Sequence, residues 1–384
     1  MPHAPSLASL AALLLSLTLP RAFAEAPPVA SALQPFVESH SLAGAVTLVA
    51  TKDKVLSVEP VGFADVAAKK PMTPDAMFWI ASMSKAMTAA AFMILVDEGK
   101  VQLDDPVAKY LPEFKELWVA AEQDKDHLLL HRPAHPITPR EILSHTSGLP
   151  FKSAIEQPAL DQVPLRVAVL SHAIAPLLFE PGTQYKYSNG GINTAGRIIE
   201  VVSGMSYEDF MQQRLFDPLG MKDTTFWPSE EQVARLAKSY KPNEAKNDLV
   251  ETPISQLTYP LTDRRRQPMP GGGLFSTASD TAKFCQMLLN RGLHGSQRIL
   301  SEAAVKTMTS RQTAESIKDN YGFGLTISGS TYGHGGAQAT NMTIDTDLGL
   351  ITVFMVQHSG FPGNGKESLG AFKKAAVERF GRQK

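Results

Sequence analysis

The run Phe78-Trp79-Ile80-Ala81-Ser82-Met83-Ser84-Lys85, continued by Ala86–Val96, decides how this chain is read. From Ala86 to Val96 the residues are apolar almost all the way round, and a helix with no polar face belongs in the interior of a protein. Two polar groups at the start of such a helix stand out. In Ser82-x-x-Lys85 the three-residue spacing sets a hydroxyl and an amine on one helical face, near enough for a proton to pass between them. An ammonium taken out of water has its pKa pushed down, so this lysine can work as a neutral base. Unpaired N–H groups at the helix start favour negative charge developing on Ser82 and on an attacked carbonyl oxygen. Alone, the pattern is short enough to arise by chance, as a capping serine followed by a lysine reaching back to water.

Outward from this helix, Leu42–Val66 alternates apolar and polar residues around Lys52-Asp53-Lys54 and predicts a β-hairpin. Tyr321–Ser328, Tyr332–Asp345 and Leu348–His358 are three β-rich runs, and Glu367–Phe380 predicts a closing helix. Most segments between these ends read as helical. The expected fold is therefore α/β, of the α+β type: an antiparallel sheet built from both ends of the chain, with a mainly helical lobe, roughly residues 100–290, inserted between them. A cleft between sheet and lobe is the natural site. Ala120–Pro139 is polar and carries Pro133, Pro136 and Pro139, so it reads as a surface hairpin or loop. His127, His131 and His135 within it would line up as metal ligands on a helix, but the prolines argue against one, and no metal site is expected.

Two further elements can meet Ser82 and Lys85. Tyr185–Asn189 reads as a short extended stretch before the helical run Ile192–Val202, which Gly204 closes. In an extended chain Tyr187 and Asn189 point the same way, a phenol able to pass a proton to a leaving group and an amide able to bond both substrate and lysine. Read simply as structure, Tyr-Ser-Asn-Gly-Gly is also a plausible loop. The third element is Tyr332-Gly333-His334-Gly335-Gly336-Ala337, where glycines in a strand signal that a backbone or ligand approaches closely. Its main chain can bind an acyl group, the Ala337 N–H can join that of Ser82 as an oxyanion hole, and His334 can orient a substrate group or simply pack.

In this order and setting the three elements resemble the serine-lysine acyl-transfer pattern of β-lactamases and penicillin-binding proteins. The sequence resembles the class C β-lactamase-like group, which includes family VIII carboxylesterases and low-molecular-weight DD-peptidases. The likeness extends to Leu103–Pro112, Ile137–Pro150, Phe216–Thr225 and Gly271–Asp280. It implies a β-lactamase/transpeptidase-like fold, Ser82 as the acylated serine, Lys85 as the base, Tyr187 as the proton shuttle and Asn189 as the contact to substrate and lysine. His334-Gly335-Gly336 stands where many β-lactamases have Lys-Thr-Gly. Histidine is mostly neutral near pH 7, so a fixed charge facing a substrate carboxylate is lacking. That tilts the expected substrate toward an ester or a peptide bond. Any of Arg264, Arg265 and Arg266, just before the Gly-rich Pro270–Gly273, could supply the missing charge. A β-lactamase or D-alanyl-D-alanine carboxypeptidase is the second reading, and a non-catalytic peptide-binding protein the third.

Bulk properties narrow the field. With 37 basic and 38 acidic residues the net charge is −1, which gives no broad positive field for nucleic acid. The apolar stretch Leu7–Leu19 followed by Ala22-Phe23-Ala24 reads as a signal peptide over residues 1–24, which places a mature single domain, residues 25–384, in the periplasm or outside the cell with no stable membrane insertion. The single cysteine, Cys285, excludes an intrachain disulfide and reads as a buried small hydrophobe. Gly360–Lys366 imitates a nucleotide-binding loop, but Glu367 stands where Ser or Thr would hold magnesium. The expected partner is a small-molecule or peptide substrate, without a cofactor.

Overall fold

The computed structural model describes Met1 and residues 27–381; apart from Met1, the segment read as a signal peptide lies outside the described residues. Its main sheet has seven strands: β1 (Gly44–Ala50), β2 (Val55–Asp65), β3 (Lys70–Pro71), β4 (Thr326–Ser328), β5 (Thr331–Gly335), β6 (Asn341–Asp345) and β7 (Leu350–Met355). Their order across the sheet is β4-β5-β6-β7-β1-β2-β3, every pair antiparallel, so the two ends of the chain meet where β7 pairs with β1. The register aligns Met342, Val353, Leu48 and Val58 in one row across one face.

Both faces of the central strands are covered, which is why β1 is buried along its whole length. Val46, Leu48 and Ala50, with Ile351, Val353 and Met355, face the main core, where Ala278–Leu289 packs. Ala45, Val49, Leu350 and Phe354 face the opposite way, onto Val29, Leu33, Phe372 and Ala376 from the two ends of the chain. The strand period of two thus divides one hydrophobic run between two layers.

The insertion leaves after β3 and returns at β4. Its central rod is α1 (Ser84–Asp97), in which every residue from Ser84 to Leu95 is buried, as its all-round apolar sequence requires. Against it lies α2 (Asn189–Ser203), capped at one end by the Ser188 hydroxyl, which accepts the Gly191 N–H, and ended by Gly204 in the left-handed conformation. The helix Ala278–Leu289 (α3) carries Cys285, fully buried beside Met342, while Ser368–Phe380 (α4) closes the chain. Val119–Gln123 pairs with Leu128–His131 as an exposed ribbon.

Two local expectations need correction. The run Tyr332–Asp345 is two strands, β5 and β6, because Gly336–Thr340 turns: the Gly336 N–H donates to the Thr340 carbonyl and the Ala339 N–H to the Gly336 carbonyl. Asn189 is not extended but opens α2, because Ser188 provides the cap.

Candidate active site

Ser82 lies in the 3-10 turn Ala81–Met83 that leads into α1. Ala81 sits in the left-handed region at φ 45°, a conformation that costs a non-glycine residue energy and persists only where its surroundings impose it. Those surroundings are visible. The Ser84 hydroxyl donates to the Ala81 carbonyl at 2.6 Å and accepts the Leu274 N–H at 3.2 Å, and the Ile80 N–H donates to the Leu274 carbonyl. A short pairing of Phe78 with Ser276 and Trp79 with Phe275 completes the junction.

Lys85 is wholly buried, and desolvation pushes its pKa down to about 7. Its Nζ lies 2.6 Å from Asn189 Oδ1 and 3.3 Å from Ser82 Oγ, and also donates to the Gly271 carbonyl. A neutral amine has two N–H donors and one lone pair. With Asn189 and Gly271 taking the two hydrogens, the lone pair is left for the Ser82 hydroxyl.

The glycine-rich stretch is the third wall. Three consecutive carbonyls, of Pro270, Gly271 and Gly272, accept from Thr88 Oγ1, Lys85 Nζ and Trp79 Nε1, all belonging to α1 or its approach. A Cβ on Gly271 would stand 2.8 Å from Asn189 Oδ1. Close approach, not turn geometry, demands glycine there.

Tyr187 places its ring centre 4.7 Å from Lys85 Nζ, and burial raises its pKa, against the pull of the Ser82 hydroxyl. Behind it stand His145, Tyr185, Tyr321 and His334. The His145 ring is 4.6 Å from that of Tyr187 and 4.8 Å from that of Tyr321, and His145 Nδ1 accepts the Ser188 N–H. Burial, then the charges of Lys85 and His334, hold His145 well below its usual pKa.

The structure therefore brings Ser82, Lys85, Tyr187 and Asn189 together, and Ala337 lines the same cleft as Ser82. His334 is placed otherwise: its Nδ1 is 2.6 Å from the Gly335 carbonyl, and its Nε2 is 3.0 Å from the Tyr321 hydroxyl and 3.4 Å from that of Tyr187. Burial and the nearby Lys85 lower its pKa to about 4, so it backs Tyr187 as a neutral ring and does not line the cleft. Gly335 and Gly336 are not among the cleft-lining residues either. A Cβ on Gly336 would stand 2.5 Å from the Ile80 carbonyl, so this glycine lets the turn press against the approach to Ser82.

Sequence reasoning missed His145 and Tyr321. His145 lies within the stretch Ile137–Pro150, which the resemblance covered without assigning it a role; nothing local marks Tyr321.

The cleft encloses about 390 Å³. Trp79, Phe151, Pro158, Leu160 and Met269 make most of its wall apolar, and Lys152 is the one charged side chain among the described residues lining it. None of the three arginines is among the residues lining the cleft. Arg266 is buried, with Nε 2.7 Å from Asp161 Oδ2 and further bonds to the Phe226 and Leu261 carbonyls. Arg265 pairs with Asp263, and Arg264 lies over Trp227. A wider groove of about 750 Å³, floored by Leu236, Ile254 and Leu261, is lined by neither Ser82 nor Lys85.

The family model described as Beta-lactamase matches residues 29–373. An uncharacterised protein of Mycobacterium tuberculosis strain CDC 1551 / Oshkosh is 32% identical over 83% of this chain and 86% of its own length. The lovastatin esterase of Penicillium rubens is 30% identical over 62% of this chain and 61% of its own. Among solved structures, EstCE1, described as a hydrolase with promiscuous acyltransferase activity, superposes with a TM-score of 0.75 at 23% identity, covering 91% of this chain and 97% of that one.

Proposed function

This chain belongs to the Beta-lactamase family and is a serine hydrolase, and from that premise we propose that it cleaves carboxylic esters through an acyl-enzyme on Ser82. The observation that carries the reading is the Lys85 amine, desolvated, with both N–H groups occupied by Asn189 and Gly271 and its remaining direction on Ser82 Oγ.

In acylation Lys85 takes the Ser82 proton as Oγ bonds to the carbonyl carbon, and the carbonyl electron pair moves onto its oxygen, held by the N–H groups of Ser82 and Ala337. Collapse of that adduct breaks the C–O bond. The departing alcohol oxygen takes a proton from the Tyr187 phenol, which Lys85 replenishes. Water then attacks the acyl group, gives its proton to the same pair, and releases the acid while Ser82 recovers its hydrogen. Lys85 is the base and Tyr187 the acid because burial drives their pKa values in opposite directions.

Two observations favour esters over β-lactams. His334, standing where a fixed cation would face a lactam carboxylate, is neutral and turned to Tyr187 and Tyr321, and the cleft wall is mainly apolar. The similar fungal protein is named for an ester substrate. In this reading residues 1–24 direct export, and the enzyme works in the periplasm or outside the cell without a cofactor; a mature N-terminus at Glu25 would support that route.

The test is a parallel assay of short-chain p-nitrophenyl esters, a chromogenic cephalosporin and D-Ala-D-Ala peptides, with Ser82→Ala as control. Ester turnover that dominates and vanishes with Ser82→Ala is the expected result. Cephalosporin or peptide turnover exceeding that of esters overturns the substrate assignment, and full activity in Ser82→Ala overturns the mechanism. Inactivity toward every probe, with no labelling of Ser82 by fluorescent penicillin, would leave a binding protein as the better account.

A further inference from the structure

Asn193 lies four residues beyond Asn189 on α2, so the two amides share one face of the helix. Asn189 touches Lys85 directly; Asn193 reaches it through one residue. Its Oδ1 accepts the Gly271 N–H at 3.1 Å, and the Gly271 carbonyl accepts from Lys85 Nζ. The other end of the same amide, Nδ2, lies 3.4 Å from Glu156 Oε1. Glu156 is 1% exposed and faces His172, 0% exposed, at 3.2 Å, while its Oε2 also accepts the Ser153 N–H at 2.7 Å.

A carboxylate buried among such neighbours costs free energy that an apolar side chain of similar size would not. The bond pattern shows what the carboxylate does. It has no hydrogen to give, so it can face only the NH₂ end of Asn193, which fixes the amide with its oxygen on Gly271. Were the amide to flip, NH₂ would meet the Gly271 N–H, two donors head to head. Gly271 would then move, and Lys85 would lose one of the two acceptors that leave its lone pair for Ser82.

We propose that Glu156 and Asn193 are positioning residues that hold Gly271, and through it the Lys85 amine, in the orientation that activates Ser82. The inference rests on the reading of Lys85 as the base. Neither residue touches the cleft: Glu156 and Asn193 are absent from its lining and act through the Gly271 peptide.

The polarity of the pair supplies the test. Glu156→Gln gives the buried site a donor where the Ser153 N–H and Asn193 NH₂ both need an acceptor, and Asn193→Asp sets two buried carboxylates together. In the double variant the pattern closes again: the carboxylate introduced at position 193 accepts from the Gly271 N–H and from the amide introduced at position 156, whose oxygen accepts from Ser153. Each single substitution is expected to lower kcat roughly ten- to hundredfold with little change in KM, the order expected when a reacting group is displaced by about 1 Å. Glu156→Gln also moves the acid limb of kcat/KM to lower pH, because an ammonium that loses a carbonyl acceptor gives up its proton more readily, whereas in Asn193→Asp the new carboxylate stabilises the ammonium and opposes that shift. The double variant is expected to recover to within about threefold of the parent in kcat, with the acid limb at or above its parental position because the carboxylate now lies closer to Lys85.

Losses that simply multiply in the double variant, or parental kcat and acid limb in both singles, overturn the proposal. If an acidic variant does not fold, Asn193→Ala decides by the same two readouts. Lowered kcat with a displaced limb supports the positioning role, and unchanged values refute it. Lys85→Met separates the two levels, since activity surviving that change defeats the base assignment itself, whereas failure of the swap defeats only Glu156 and Asn193.

Discussion

The amine of Lys85 lies 4.7 Å from the centre of the Tyr187 ring, and burial acts on the two groups in opposite senses, lowering the ammonium to about pKa 7 and raising the phenol above its usual value. Near pH 7 a large fraction of the molecules therefore hold a free amine beside an intact phenol, a base and an acid ready without a preliminary proton transfer. The acid limb of kcat/KM is expected near pH 7, activity rising as Lys85 deprotonates. Tyr187→Phe, which keeps the ring over the amine but removes the proton donor, is expected to lower kcat by about 10² to 10⁴. A pH–rate profile with a poor leaving group checks both, and an acid limb near pH 4 would contradict the assignment of Lys85.

Gly271→Ala puts a methyl group 2.8 Å from Asn189 Oδ1, the movable end of a side chain. The amide can swing aside, so thermal stability is expected to change little while kcat drops about a hundredfold through the lost Lys85 contact. Gly336→Ala meets the Ile80 carbonyl at 2.5 Å, a backbone atom with no such freedom, and is expected to lower both stability and kcat. Thermal melts run beside the ester assay separate the two outcomes.

Arg266 and Asp161 form a buried ion pair, and Asp161 also accepts from the Thr258 N–H and hydroxyl. Removing one partner strands the other charge away from water. Asp161→Ala is expected to destabilise the protein by about 3–5 kcal/mol in a denaturant titration. Arg265→Ala, at the solvent-exposed pair with Asp263, is expected to leave both stability and affinity for acidic substrates essentially unaltered.

Three buried histidines, His145, His334 and His358, are held neutral, chiefly by burial, the last two with pKa values near 4. An unfolded chain binds these protons near pH 6.5 while the folded one resists. Their contribution to stability is therefore intact above about pH 6.5 and is lost as pH falls toward 4. Denaturant midpoints between pH 7.5 and 4.5 should fall accordingly, with a smaller decline in His358→Gln. A flat profile over this window would show that the histidines are already accommodated as cations.

The serine and lysine were legible because both lie within one turn of one buried helix, where spacing alone fixes their relation. The hairpin of β1 and β2 and the closing helix were legible for the same reason: each is a local pattern of apolar residues. The turn after Gly335 was not, since bonds between Gly336, Ala339 and Thr340 interrupt a run that reads as a single strand. The burial of Arg266 was hidden too, because Asp161 lies 105 residues away and nothing in a triplet of arginines says which one turns inward.

By itself the sequence determined that an apolar helix opening with Ser82 and Lys85 had to be buried, and that a lysine so buried would give up its proton more readily than one in water. Only the tertiary structure decided which groups meet that amine. Asn189, Gly271 and Tyr187 come from segments about a hundred or more residues away. His334 was turned from the substrate side to the tyrosines by bonds to Tyr321 and Tyr187. Hydrogen bonds act over about 3 Å of space and are indifferent to separation along the chain, so the partners of a buried polar group are settled by packing.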